Sequence, residues 1–168
     1  GHGIWGDLSA TSKAERKYIA SQTAKAKKVL DHVAGQPLQV SGRIGSVPEV
    51  YIQSDYDDGW ALMTAFSGGP VSHEQTISLD PSKVLGVLNH SYSLTEEGVR
   101  VGLEFPCADE SREVFVLGNG GYDIRIVSST GWLDDISLSE NVLKIKAGSD
   151  TDVTIDIKGI IQTQTIAS

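Results

Sequence analysis

Cysteine is nearly absent: Cys107 is the only one in 168 residues, so no internal disulfide can staple the chain. A lone thiol gives no sign of a secreted disulfide scaffold and fits folding in a reducing cytoplasm. Aromatic residues are sparse at 7%, and there is a single methionine. No apolar run approaches the roughly 20 residues that a spanning helix needs, so no membrane insertion is expected. The N-terminus lacks the charged and apolar regions of a signal peptide; Gly1-His2-Gly3 reads as a tag scar or a processed terminus. Basic residues are scarce too, 14 against 22 acidic ones, for a formal charge of −8. An acidic body repels phosphate, so nucleic acid is not an expected partner.

What is present suffices for one globular body. Hydrophobic residues make up 39% and charged residues 21%, a globular balance in a chain long enough to bury a core without staples. The charge is uneven. Six of the basic residues (Lys13, Arg16, Lys17, Lys25, Lys27, Lys28) fall within residues 9–34, where the acids are Glu15 and Asp31.

That same stretch is the one strong helix signal. Ser9 and Ser12 are candidate N-caps, and Ser12 with Glu15 spells a capping box. Alanines 14, 20, 24, 26 and 34 favour helix, and Gly35 followed by Pro37 supplies the stop. Ile19, Gln22, Ala26, Val29 and Val33 recur at alternating spacings of three and four, with Tyr18 and Leu30 beside them. Such a seam suits either an oligomeric coiled coil or a helix laid against the rest of the chain.

From Leu38 onward short β-branched and aromatic segments alternate with Gly, Asp, Asn and Ser. The spacing predicts strands at Leu38–Ile44, Glu49–Ser54, Trp60–Phe66, Thr76–Leu79, Gly98–Phe105, Arg112–Leu117 and Tyr122–Ser128. Three more are expected at Val142–Lys146, Thr151–Ile157 and Ile160–Thr165, whereas Pro81–Leu88 reads as a short helical turn. The fold class is mainly β, an antiparallel sandwich or barrel with one N-terminal α-helix. Residues 1–36 form an arm and basic helix; 37–168 form a β-rich body.

Residues suited to catalysis do not assemble. His2, His32, His73 and His90 show no metal-ligand spacing, and Cys107 has no cysteine partner for a zinc site. The Gly-x-Ser-x-Gly and Gly-x-x-x-x-Gly-Lys patterns are missing. Cys107 is expected as a small core residue, and Gly118-Asn119-Gly120-Gly121 as a tight turn between strands. No enzyme activity and no cofactor is expected. Asp55, Asp57 and Asp58 are a weak calcium candidate, because clustered carboxylates suit hard cations; their spacing does not match the Asp-x-Asp-x-Asp-Gly loop, and Asp also favours turns. Trp60 beside Asp57-Asp58 and Trp132 beside Asp134-Asp135 have the composition of glycan contacts, a ring for the sugar face and carboxylates for its hydroxyls. Core packing is the default for a tryptophan at a strand boundary, and it is the other reading of each.

The segment Val50-Tyr51-Ile52-Gln53-Ser54-Asp55-Tyr56-Asp57-Asp58-Gly59-Trp60-Ala61-Leu62 resembles the hairpin that opens fibrinogen-like domains, variants of which occur in phage tail-fibre proteins. In that family the strand leads through an acidic, glycine-rich turn into Gly-Trp-Thr-Leu. Here Tyr51 stands near the family's cysteine, Asp57-Asp58 replace glycines, and the later calcium loop is missing, so neither a calcium site nor a ligand pocket carries over. Residues 112–168, with the Thr130-Gly131-Trp132-Leu133 corner and the Ala147-Gly148-Ser149-Asp150 turn, resemble Ig-like modules of bacterial and phage surface proteins. These resemblances imply a non-catalytic structural or assembly component of a phage virion or surface appendage, placed on the virion or an extracellular surface. Its partners would be copies of itself or other appendage proteins. Ile4, Trp5, Leu8, Ile19, Ala26, Val29 and Val33 are the expected assembly residues, with Trp5 docking into a groove of its own or a neighbouring chain. The alternative is a monomeric carbohydrate-binding or adhesion module that contacts a cell-surface glycan through Trp60 or Trp132.

Overall fold

The computed structural model describes residues 10–41, 47–107 and 110–168. Among these lie one α-helix and thirteen strands. The N-terminal half holds α1 (Lys13–Val33), β1 (Gln39–Ser41), β2 (Glu49–Asp55), β3 (Trp60–Ser67), β4 (Val71–Ser78), β5 (Val84–Leu88) and β6 (Tyr92–Thr95). The remainder holds β7 (Gly98–Phe105), β8 (Glu110–Gly118), β9 (Ile124–Ser129), β10 (Leu133–Ser139), β11 (Val142–Ala147), β12 (Thr151–Ile157) and β13 (Ile160–Ile166). The strands form a five-stranded sheet in the order β1-β2-β3-β8-β5, a six-stranded sheet in the order β13-β12-β9-β6-β7-β4, and the β10–β11 hairpin. Each pairing is antiparallel. The mainly β, sandwich-like class expected from the sequence is what the chain adopts, without a closed barrel among the described residues.

Three layers result. Helix α1 lies against β2, β3 and β8 on one face of the five-stranded sheet, and the six-stranded sheet covers the other face. Alternation along β3 makes the division visible: Ala61, Met63 and Ala65 are fully buried toward the sandwich interior, while Trp60, Leu62 and Thr64 point to the helix side. Strand β7 fronts one sheet only and alternates cleanly, with Val99, Val101, Leu103 and Phe105 buried and Arg100, Gly102 and Glu104 exposed. Strand β5 is covered on both faces, so Val84-Leu85-Gly86-Val87-Leu88 is buried throughout. A strand with two dry faces needs no polar alternation, which is why this segment carries no strand period. The expected helical turn at Pro81–Leu88 is confined to one 3-10 turn, Pro81–Lys83, capped by the Asp80 side chain.

The helix begins as its capping box dictates. The Ser12 hydroxyl accepts from Glu15 N at 3.2 Å, and Ser12 N donates to the Glu15 carboxylate at 2.6 Å. That reciprocal bond holds the Glu15 carboxyl below its usual range, chiefly through the Ser12 backbone N–H. The helix ends with Ala34 N donating to Leu30 O. Ala26, Val29 and Val33 are buried on its inner face, in one core cluster with both sheets. This corrects the expectation that these three make contacts between chains: the seam is taken up by the chain's own sheet, and Ile19 alone of the described assembly candidates keeps partial exposure. Ile4, Trp5 and Leu8 lie outside the described residues.

Two further expectations change. Cys107 is exposed, in the connection between β7 and β8, and not a core residue. The strands of residues 112–168 do not close into an Ig-like unit of their own. Strand β8 sits inside the five-stranded sheet between β3 and β5, β9 pairs with β6, and β10–β11 forms a separate hairpin.

Two glycines lock close approaches. Gly98, at φ +135°, would place a Cβ 2.1 Å from Ile77 O where β4 meets β7. A Cβ on Gly118 would lie 2.4 Å from both Asp58 O and Trp60 Nε1, so only glycine lets the β2–β3 turn and Trp60 close over the end of β8.

Candidate functional site

A cleft of about 730 Å³ opens between α1 and the five-stranded sheet. Tyr18, Ile19, Gln22, Thr23, Ala26, Lys27 and Leu30 line it from the helix; Ser111, Arg112 and Glu113 line it from β8; Asn89 and Trp132 close its end. Each wall has a structural reason. The helix tilts its small residue Ala26 toward the sheet, and at its N-terminal half the flanking Tyr18 stands 62% exposed above the cleft. Trp132 belongs to the corner before β10 and is 49% exposed, with the buried His90 ring stacked behind it at 6.4 Å.

The polar end of the cleft is built by a buried chain of hydrogen bonds. Lys25, only 6% exposed, donates from Nζ to Asn89 Oδ1 at 2.7 Å and lies 3.5 Å from an Asp134 carboxylate oxygen. Asn89 Nδ2 in turn donates to Gln22 Oε1 at 2.6 Å. A lysine taken out of water needs such partners, because an unpaired buried charge is costly. Asn89 sits in the left-handed region at φ 72°, a conformation its short amide tolerates, and its backbone N donates to Leu133 O at 3.1 Å. His90 Nδ1 lies 2.8 Å from Ser91 O; a carbonyl only accepts, so that nitrogen carries the proton. Lys28 and Asp135 pair at the outer rim. With the Gln22 oxygen engaged by Asn89, the side chain has its NH₂ donors left to offer a ligand.

Arg112, the cross-strand partner of Ala65, turns its side chain away from the cleft toward the six-stranded sheet. Its guanidinium donates to Glu104 O at 2.7 Å and to Ser111 O at 2.9 Å, and it lies 4.9 Å over the Phe105 ring. The cleft thus offers two aromatic rings, amide donors and the Glu113 side chain around one concavity. Among the described residues that line it there is no nucleophile–base pair. The set suits recognition of a polar ligand that presents an apolar face.

A second concavity of about 510 Å³ lies near the hairpin turn of β12 and β13, lined by Ser82, Asp123, Arg125, Asp156 and Lys158 among others. Two of its charges are paired: Arg125 Nη2 donates to Asp156 Oδ2 at 2.7 Å, and Gly159 N donates to Asp156 Oδ1 at 2.8 Å. The Arg125 hydrogen bond holds the Asp156 carboxyl below the usual carboxylate range, against the opposing push of burial.

The two tryptophans proposed for glycan contact differ in setting. Trp60 is half-buried, and His32 covers its face, with ring centroids 3.8 Å apart and planes within 2°. Trp132 keeps an open face into the cleft. Asp55 serves its own turn, accepting from Asp58 N at 3.3 Å through its side chain and from Gly59 N at 3.0 Å through its carbonyl. Among the described residues no three His, Cys, Asp or Glu side chains are grouped so as to hold a metal ion. His73 bonds to Gln75 on β4. Asn119 anchors the turn after β8 through Ser82 O, at 2.7 Å, and Gly121 N. Sequence reasoning missed Lys25 and Asn89, although a polar Gln22 inside an apolar seam was the available signal.

The fold and cleft define a three-layer antiparallel β protein with a groove beside its helix. No helix in the described residues is long and apolar enough to cross a membrane. No family model, curated protein or solved structure matches the chain.

Proposed function

We propose that this chain is a non-catalytic adhesion module that binds a glycan in the cleft between α1 and the five-stranded sheet. The observation that carries the reading is the open face of Trp132 in that cleft, opposite the exposed Tyr18 ring and beside the Gln22–Asn89 amides. Pyranose rings stack their C–H faces on such rings, and amides with a carboxylate take up the hydroxyls. The burial of Val29 and Val33 inside the chain removes the helix seam from the surface, which favours ligand binding over helix-mediated assembly as the role of this face. A place on a phage fibre or comparable surface appendage is compatible with this module; the resemblance of the residue 50–62 hairpin supports that setting.

The test is a glycan array read with the whole chain, followed by titration of the best ligand. Trp132→Ala is expected to abolish the signal, a loss of at least about tenfold in affinity for a stacking ring, with the far-UV spectrum unchanged. Absence of any glycan binding by the native chain at millimolar ligand, or equal binding by Trp132→Ala, would sink the reading.

A further inference from the structure

Strand β13 ends the six-stranded sheet, and none of the described strands pairs with its outer side. Edge strands are ordinarily guarded by brevity, charge, proline or cover, and the other edges here follow that rule. Strand β1 has three residues, β4 carries Glu74 in a diagonal ion pair with Arg100, β5 is buried, and the β10–β11 hairpin bears Asp134, Asp135, Lys144 and Lys146. Strand β13 reads Ile160-Ile161-Gln162-Thr163-Gln164-Thr165-Ile166, seven residues without a charge, a proline or a glycine. Six of them are exposed, Ile160 at 63% and Ile161 at 58%.

Its backbone is set for pairing. The β12–β13 turn has Lys158 at φ 52° and Gly159 at φ 84°, a type I′ hairpin in which the flanking Ile157 and Ile160 exchange both backbone hydrogen bonds. Counting by twos, Ile160, Gln162, Gln164 and Ile166 turn their N–H and C=O groups to β12. The N–H and C=O groups of Ile161, Thr163 and Thr165 therefore point to the open edge.

The sequence of that edge is close to a palindrome about Thr163. We propose that β13 pairs antiparallel with β13 of a second copy of this chain across a two-fold axis at Thr163. Thr163 then exchanges both backbone bonds with its own counterpart, and Ile161 does so with Thr165 of the second copy. On the other face Gln162 stands opposite Gln164 and Ile160 opposite Ile166, each pair occurring twice, as an isologous contact requires. The overall charge of −8 would oppose association, but no charged side chain lies on this strand, so like charges do not meet where the copies touch. The occupant is a second copy and not an unrelated strand because both halves of the register match themselves. This inference is independent of the cleft and of its ligand.

The experiment uses the whole chain and two exposed double variants, Gln162→Lys/Gln164→Lys and Gln162→Glu/Gln164→Glu. Sedimentation velocity over a concentration series should show the native chain moving from monomer to twice the monomer mass. Each variant alone should remain monomeric, since residues 162 and 164 of the two copies then present like charges, while circular dichroism stays native. An equimolar mixture of the two should regain the dimer by at least about tenfold in association constant, because opposite charges now face each other. A native chain that remains monomeric up to its solubility limit overturns the proposal. So does a dimer that survives in either variant alone, or a mixture that does not associate.

Discussion

At the scale of single residues, the Arg125–Asp156 pair ties stability to acidity. The Asp156 carboxyl is held below its ordinary value, first by the Arg125 hydrogen bond. Between that lowered value and the unfolded value near 3.9, the unfolded state binds more protons than the native one. The pair's contribution is therefore complete above about pH 4 and is lost as pH falls through the lowered native value. Asp156→Asn is expected to cost about 1–2 kcal/mol at pH 7, given a partner about a third exposed. That difference from the native chain should shrink steadily below pH 4. Urea melts at pH 7, 4 and 2.5 check it; a difference that is constant across the three would contradict the assignment. Asp156 belongs to the strand Thr151–Ile157 expected from the sequence, but its partner was not legible there. Arg125 lies on another strand, and a cross-strand pair leaves no trace in local spacing. Lys25 escaped notice for a related reason. A basic residue in a solvated helix reads as surface, and only the arrival of Asn89 and Asp134 from distant strands makes a buried position tolerable.

At the scale of elements, α1 separates residues that look alike in the helical seam. Val29 is fully buried under the sheet, whereas Tyr18 one side of the seam stands open at the cleft. Val29→Ala is expected to destabilise by about 2 kcal/mol through lost burial and the small cavity left behind. Tyr18→Ala should stay within about 0.5 kcal/mol, as surface substitutions do. Chemical denaturation midpoints decide it; equal effects would mean that the helix is not seated as described. The helix was legible because its capping box, alanines and stop agree with one another. Strands β7 and β12 matched their expected bounds because each has one dry and one wet face. Strand β5 was misread since burial on both faces erases alternation, and a short apolar run of that kind fits helix or strand equally. Strand β10 was overlooked because of its bulge between Leu133 and Asp135, which puts buried Leu133 and Ile136 three apart and leaves an Asp-Asp pair that resembles a turn. Of the candidate cleft, Trp132, Gln22 and Ile19 were visible as residue types worth attention. Their meeting with β8 and the β5–β6 connection was not, because the order β3-β8-β5 crosses the chain in a way no local pattern encodes.

At the scale of the whole molecule, the five-stranded sheet is a middle layer and α1 is half of its cover. Leu62 and Phe115 lie on the face that the helix protects, and Trp60 is capped by His32 from the helix's last turn. Removing residues 1–36 is expected to give a chain that aggregates or binds a hydrophobic dye strongly, in place of a soluble β body. Light scattering and dye fluorescence on the truncated chain are the check; a monodisperse product with a native far-UV spectrum would refute the layering. The full chain should bind the dye weakly by comparison.

The placement of the helix also sets where this chain can be divided. Residues 13–33 look detachable along the sequence, with a glycine and a proline marking the joint, yet in space they are a wall of the interior. In a lineage that trades modules, the Gly35–Pro37 bend is a fastening inside the unit and no border of it.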